Sequence, residues 1–456
     1  MSGRPLRFWD LTFYAVAVGF GIRWLPYAAA AGPASLPLWL LAMIGFMAPL
    51  VAATAEMVGR FPGEGGLYDW AGRTLGPFAG FMTGWLYWTC NLPFFSGVLY
   101  FIVNTLAAAA GPGAVKLVAD PWVFAVIAST IAIVVALLHW RGMGTGKWLT
   151  NFGSLATFAL LAILLLIGAA AALRFGSATS LTKANYAPPI TADGAALWSI
   201  MVFAYGGPEA LAFLRNDVAG GVKQIVRALV LVGVVVFALY IAGTLAMLAI
   251  FPPAAASRLG GLPDAYTIGL TRLGLKGLAP LPPLLLGLSM LGGYSAWFGI
   301  AARLPFVIGV DRYFPTAFAR KDARTGAPTT AILVQAVAVV VLVALSQAGA
   351  SVKAAYDFLV SMSVISYTLP FIFLFLAYLR LDGAAERGVW TAPGGPAGRR
   401  GLAAMGLIVT LTAVAATLVP GGDVIDKLGS VFKLLVASGV LIGLGAAIYA
   451  AAGRRR

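Results

Sequence analysis

Long apolar runs, broken by short polar, glycine- or proline-rich stretches, set the pattern of this chain. A hydrocarbon core of about 30 Å takes roughly 20 apolar residues per crossing helix. Twelve runs of that kind are predicted, near 10–31, 36–57, 76–110, 121–140, 149–173, 195–214, 225–251, 278–309, 328–348, 354–379, 401–419 and 428–450. They are too long for barrel strands and do not alternate. The first follows Arg4 and Arg7, lacks a convincing small-residue cleavage site and leads into further spans, so it reads as a span rather than a removable leader. The longest non-apolar stretches, near 174–194 and 252–277, leave no room for a soluble domain, and the segment from Thr391 to Gly401 reads as a short loop.

Composition sharpens this picture. Hydrophobic residues make up 61% of 456 and charged ones 10%, with a mean hydropathy of +0.92, against about a quarter charged in an ordinary soluble domain. A cytosolic enzyme and a disordered chain are thereby excluded. The single cysteine, Cys90, rules out a disulfide framework and a thiolate metal site, and the single histidine, His139, argues against an imidazole-based one. His139, beside Trp140 and Arg141 at a span end, reads as interfacial, and no cofactor is expected.

The net charge of +15 reflects loops rather than nucleic-acid binding. Lys and Arg divide 21 to 9 between the two sides of the predicted topology, with Arg23 left inside a span. The richer side carries both termini and, with an even number of spans, is predicted to be cytoplasmic. The C-terminal Arg454, Arg455 and Arg456 fit a topology anchor.

Two spans carry helix breakers. The first contains Val18-Gly19-Phe20-Gly21-Ile22 and then Pro26; the sixth contains Tyr205-Gly206-Gly207-Pro208-Glu209. Glycine is flexible and Pro208 has no N–H, so both segments are expected to unwind. Loose backbone at membrane depth survives where it is buried in protein or lines a cavity. The two spans open what look like two five-span halves, 10–174 and 195–380, followed by two further helices over 401–450. An odd number of spans per half inverts one repeat against the other, and interrupted helices in corresponding places point to a transporter's central site. Close packing accounts for many membrane glycines, and this chain has 55.

The motifs resemble those of the amino acid–polyamine–organocation transporters. Gly19-Phe20-Gly21-Ile22 is similar to that family's first-helix G-S/T-G-I/V motif. Glu56, with Arg60-Phe61-Pro62-Gly63-Glu64-Gly65-Gly66-Leu67-Tyr68-Asp69-Trp70, resembles its signature after the second helix. Gly80 to Trp88 resembles the start of its third helix, Phe203-Ala204-Tyr205-Gly206-Gly207-Pro208-Glu209 its sixth-helix motif, and Asp311-Arg312-Tyr313-Phe314-Pro315 with Pro328 its loop after the eighth. The resemblance implies an all-α integral membrane protein of about 12 helices, with a LeuT-type five-plus-five inverted repeat and two peripheral helices. It also implies that Phe203 is the sixth-helix aromatic gate and Trp297 an eighth-helix aromatic lining the pocket; each ring is equally open to a packing role. The sequence departs from the pattern at Phe20, where a small hydroxyl residue is usual, and at Arg23, where an aromatic is. Where some relatives have a fifth-helix lysine in place of sodium, the nearest match is Thr157.

The residues suggest what the site would do. An unwound first helix would expose amides from Gly19 to Ile22, which suit a carboxylate. Carbonyls near Phe203, Ala204 and Tyr205, with Gly207 beside them, would suit an ammonium group. Arg23 has three readings: binding an anionic group of the substrate, pairing with Glu209 or Glu56 to serve structure or coupling, or snorkelling. Glu209 is open to a proton-carrying role and to a structural one. Asn91 reaches substrate or makes an interhelical hydrogen bond, and Ser289 and Ser295 are candidates for the counterpart of a sodium site. The expectation is a secondary transporter moving an amino acid or related amine by alternating access, with a coupling proton or counter-substrate. A polyamine carrier, a sensor on a transporter fold, a channel and a membrane enzyme are the rivals; no selectivity filter, HExxH or nucleophile elbow is evident.

Overall fold

The computed structural model describes residues 7–453 apart from 64, 142–146, 188–190, 303, 308–312, 320–321, 325–326, 348–350, 383–387 and 421–425. Glu64, Asp311 and Arg312 of the motifs above lie outside the described residues, as do Arg4, Arg303, Arg320, Lys321, Arg387 and Arg454 to Arg456 of the charge count.

The membrane segments of the described residues are built from helices, with breaks in spans one and six. Among the described residues, eleven helices are long and apolar enough to cross a membrane: Gly32–Arg60, Pro77–Ala110, Pro121–Trp140, Leu155–Phe175, Ala192–Arg215, Val222–Ile250, Lys276–Ala301, Thr329–Gln347, Val352–Leu379, Gly395–Thr417 and Lys427–Gly453. These are spans two to twelve. The first span is made of two pieces, Phe8–Gly19 and Leu25–Ala30, each too short to cross alone. Large apolar side chains such as Leu173 point outward, 88% exposed, as lipid-facing helices require and a water-facing surface would not tolerate in such number.

Two expectations are corrected by local chemistry. The long helix of span eight ends at Ala301, with a short helix following over Leu304–Val307, because Pro305 has no N–H to return to the Ala301 carbonyl. Span three is as long as expected, Pro77–Ala110, with a turn at Cys90, where Pro93 likewise cannot bond the Thr89 carbonyl. The segment from Thr391 to Gly401 is a loop only in its first part. The eleventh helix starts at Gly395, with Pro396 in its first turn, where proline's fixed φ favours initiation.

Candidate functional site

Both predicted breaks are present, and they cross one another. Span one ends its first helix at Gly19, runs extended through Phe20 and Gly21, and resumes as a 3-10 turn over Ile22–Trp24. Span six ends its first helix at Ala204 and resumes at Pro208. Gly207 has φ +119°, and a Cβ placed on it would lie 2.5 Å from the Val18 carbonyl oxygen. Glycine is needed there both for its backbone angle and for the close approach of the two chains.

The freed backbone groups are in part already used. Tyr240 of span seven accepts a hydrogen bond from the Gly21 N–H and donates one to the Ala204 carbonyl, each at 3.0 Å. Its ring stacks on Trp39 of span two, with centroids 4.1 Å apart. Tyr205 turns away and donates to the Trp39 carbonyl at 3.1 Å, and Trp39 Nε1 donates to Thr244 Oγ1 at 3.2 Å. The Phe203 carbonyl accepts from the Gly206 N–H. The picture of bare carbonyls is therefore corrected: the sixth-helix break holds fewer open acceptors than its sequence suggests, because a phenol from another span caps it.

Beside the crossing lies a cavity of about 340 Å³. Gly19, Phe20, Gly21, Ile22, Arg23, Asn91, Phe203, Ala204, Gly207 and Trp297 all line it, whereas Tyr205 and Glu209 do not. Trp297 Nε1 donates to Asn91 Oδ1 at 2.7 Å, and the Asn91 amide nitrogen donates back to the carbonyls of Tyr87 and Trp88. Asn91 thus makes the interhelical bond that sequence offered as one of its roles. Phe203 meets Trp24 edge to face at 5.3 Å and Tyr367 at 5.1 Å. On another wall, the Thr157 and Ser289 hydroxyls lie 2.6 Å apart and within 2.9 and 2.8 Å of the Gly153 carbonyl oxygen, so that one donates to the carbonyl and the other to its neighbour. Ser295 is not with them; it faces His139, whose Nε2 lies 2.7 Å from the Ser295 carbonyl oxygen. His139, in the last turn of span four, is only 5% exposed and packs against span eight.

Arg23 is 5% exposed. Its guanidinium carbon sits 4.1 Å from the Trp24 ring centroid and 4.6 Å from that of Phe94, and Nη1 is buried with no hydrogen-bond partner. It does not meet the acids proposed for it. Glu56 accepts from Arg60 Nη2 at 2.7 Å, Arg399 Nη1 at 3.3 Å, the Tyr378 hydroxyl at 2.8 Å and the Ala392 N–H at 3.1 Å, and Arg399 also donates to the Leu381 carbonyl. Glu209, fully buried, accepts from the Tyr367 hydroxyl at 2.5 Å, the Tyr87 hydroxyl at 3.0 Å and the Gly207 N–H at 2.8 Å. That clasp ties span six to spans three and ten. Sequence reasoning missed Tyr87, Tyr240 and Tyr367; nothing local separates a tyrosine bonding a distant helix from one that merely packs.

A second cavity, of about 660 Å³, opens beside Tyr27 and is lined in part by Asp193, Arg258 and Lys353. Arg258 lies 3.4 Å from Asp357 and 3.6 Å from Asp193, and the Tyr27 hydroxyl reaches Asp357 at 3.5 Å. Ten residues of span ten separate Asp357 from Tyr367, about 15 Å along the helix.

Among the described residues no cluster of three or more metal-ligating side chains occurs. The family model described as amino acid permease matches residues 6–446. The chain is 25% identical over 446 residues to an uncharacterized transporter of Legionella pneumophila, covering 97% of this chain and 95% of the relative. It is 22% identical to the probable agmatine/putrescine antiporter AguD of Lactococcus lactis over 77% of this chain and 74% of that one. With the polyamine transporter PUT1 of Oryza sativa it shares 35% identity over 32% of this chain and 26% of the relative. With broken helices meeting at a buried cavity and a family match along nearly its whole length, the chain belongs to the amino acid permease family and is a multi-pass membrane transporter, not an enzyme.

Proposed function

We propose that the protein carries an amino acid or related amine across the cytoplasmic membrane by alternating access, with the cavity at the helix crossing as its binding site. The observation that carries this reading is the pair of crossing breaks, which bring the backbone of two spans to one buried space. Substrate is held among the first-helix segment Gly19–Arg23, Asn91, Phe203, Ala204, Gly207 and Trp297. The two halves, 10–174 and 195–380, form inverted repeats, with 401–450 peripheral and both termini cytoplasmic; the Lys and Arg asymmetry supports that orientation. Glu209, buried with neutral donors around it, is the carboxyl through which a proton couples to transport; exchange against a counter-substrate is the other form of the cycle. The polyamine-carrying relatives support a second reading, uptake of a polycation. The test is counterflow in proteoliposomes: substrate inside must accelerate entry of labelled substrate, saturably. Ohmic, unsaturable flux would replace the carrier with a channel, and binding without flux would make it a sensor.

A further inference from the structure

The cavity's charge is unbalanced. Of its lining residues, Arg23 is charged and none is a carboxylate. Glu56 is paired with Arg60 and Arg399 and Asp357 with Arg258, while Glu209, bonded only by the neutral Tyr87, Tyr367 and Gly207 amide, adds no charge when it carries the coupling proton proposed above. Two aromatic faces, Trp24 and Phe94, hold the guanidinium in place. Rings satisfy its plane but not its N–H edge, and Nη1 stays buried without an acceptor. A guanidinium in that state is completed by a planar anion taking two parallel N–H bonds.

We propose that the cargo is an amino acid with a net negative charge, a dicarboxylic one, and that Arg23 pairs with one of its carboxylates. This rests on the transport reading above and narrows it. Charge balance selects the class. A monoanionic cargo leaves the filled cavity neutral. A neutral zwitterion leaves it with one positive charge, and a diamine such as putrescine with three, in a space that offers no counter-ion. The ammonium end of the cargo is met by carbonyl lone pairs near Phe203 and Ala204 and by the Trp24 and Trp297 rings. The inference sets this chain apart from relatives whose names denote polyamine or agmatine transport.

The experiment measures melting shifts of the purified full-length protein with glutamate, aspartate, alanine, arginine, putrescine and agmatine, followed by counterflow of each in proteoliposomes, for wild type, Arg23→Lys and Arg23→Gln. Dicarboxylates are expected to give the largest shift in wild type. Arg23→Gln is expected to weaken them about 10- to 100-fold, the loss of a charge-assisted pair, with Arg23→Lys in between and alanine little changed. Because Arg23→Gln removes an unpaired buried charge, its ligand-free melting temperature should equal or exceed wild type, which separates lost binding from lost folding. A larger shift with putrescine, agmatine or alanine than with any dicarboxylate overturns the inference, as does an unchanged dicarboxylate affinity in Arg23→Gln or no dicarboxylate binding at all. Dicarboxylate binding without counterflow upholds the ligand class and refutes transport; counterflow of cations alone does the reverse.

Discussion

Replacing Tyr240 with phenylalanine removes one oxygen and leaves the ring stacked on Trp39. That oxygen serves the Gly21 N–H and the Ala204 carbonyl, each at 3.0 Å. The two losses differ in size. A buried amide left without an acceptor costs about 1–3 kcal/mol. The Ala204 carbonyl loses a donor from another helix, worth about 0.6 kcal/mol on average inside membrane proteins. Their sum, about 1.6–3.6 kcal/mol, is large for a single oxygen. Tyr266→Phe is the control: that hydroxyl is also buried, and donates to the Leu160 carbonyl at 2.8 Å. Only an acceptor is deprived there, so the cost should be about 0.6 kcal/mol. Thermal unfolding of both variants in the same detergent, followed by tryptophan fluorescence, should show a severalfold larger drop for Tyr240→Phe. Equal drops, or a Tyr240→Phe protein as stable as wild type, would refute the argument that this phenol holds the two breaks together.

Gly207→Ala forces a methyl to 2.5 Å from the Val18 carbonyl oxygen at φ +119°, so little monodisperse protein should elute on size exclusion; Gly206→Ala meets the rotatable Tyr367 ring and should be milder. Glu56→Gln strips the counter-charge from Arg399, itself 5% exposed, and should destabilise by about 3 kcal/mol, part of it recovered by adding Arg399→Met, as unfolding scans would show. Trp297→Phe loses the bond to Asn91 and should raise the transport KM severalfold while shifting the melting temperature little. Glu209→Gln can no longer accept from all three of its donors or release a proton; uptake driven by a pH gradient should vanish while counterflow persists.

The sequence carried the membrane spans, because some 20 consecutive apolar residues have few other uses, and it carried the breaks, because Gly19, Gly21, Gly207 and Pro208 act on their own backbone. It also put ten of twelve proposed site residues beside one cavity, since position along a broken helix fixes which side chains face the gap. What it hid is long-range and polar. Glu56 pairs with Arg399 across 343 positions and Tyr240 reaches Gly21 across 219; hydrophobic periodicity says nothing about such partners. The contact of His139 with Ser295, 156 positions away, is of the same kind.

The aromatic knot at the helix crossing has a mechanical consequence. Gly21, Trp39, Ala204, Tyr205 and Tyr240 join spans one, two, six and seven through backbone atoms and a stacked pair of rings. In the transport cycle proposed above, these bonds and the ring stack would keep the four helices moving together. The hinge lines lie where side chain meets side chain: at Glu209 with Tyr87 and Tyr367, and about three helical turns away, at Tyr27 and Arg258 with Asp357. In the proposed cycle, those side-chain contacts are the ones that would have to open in turn, one on each side of the cavity.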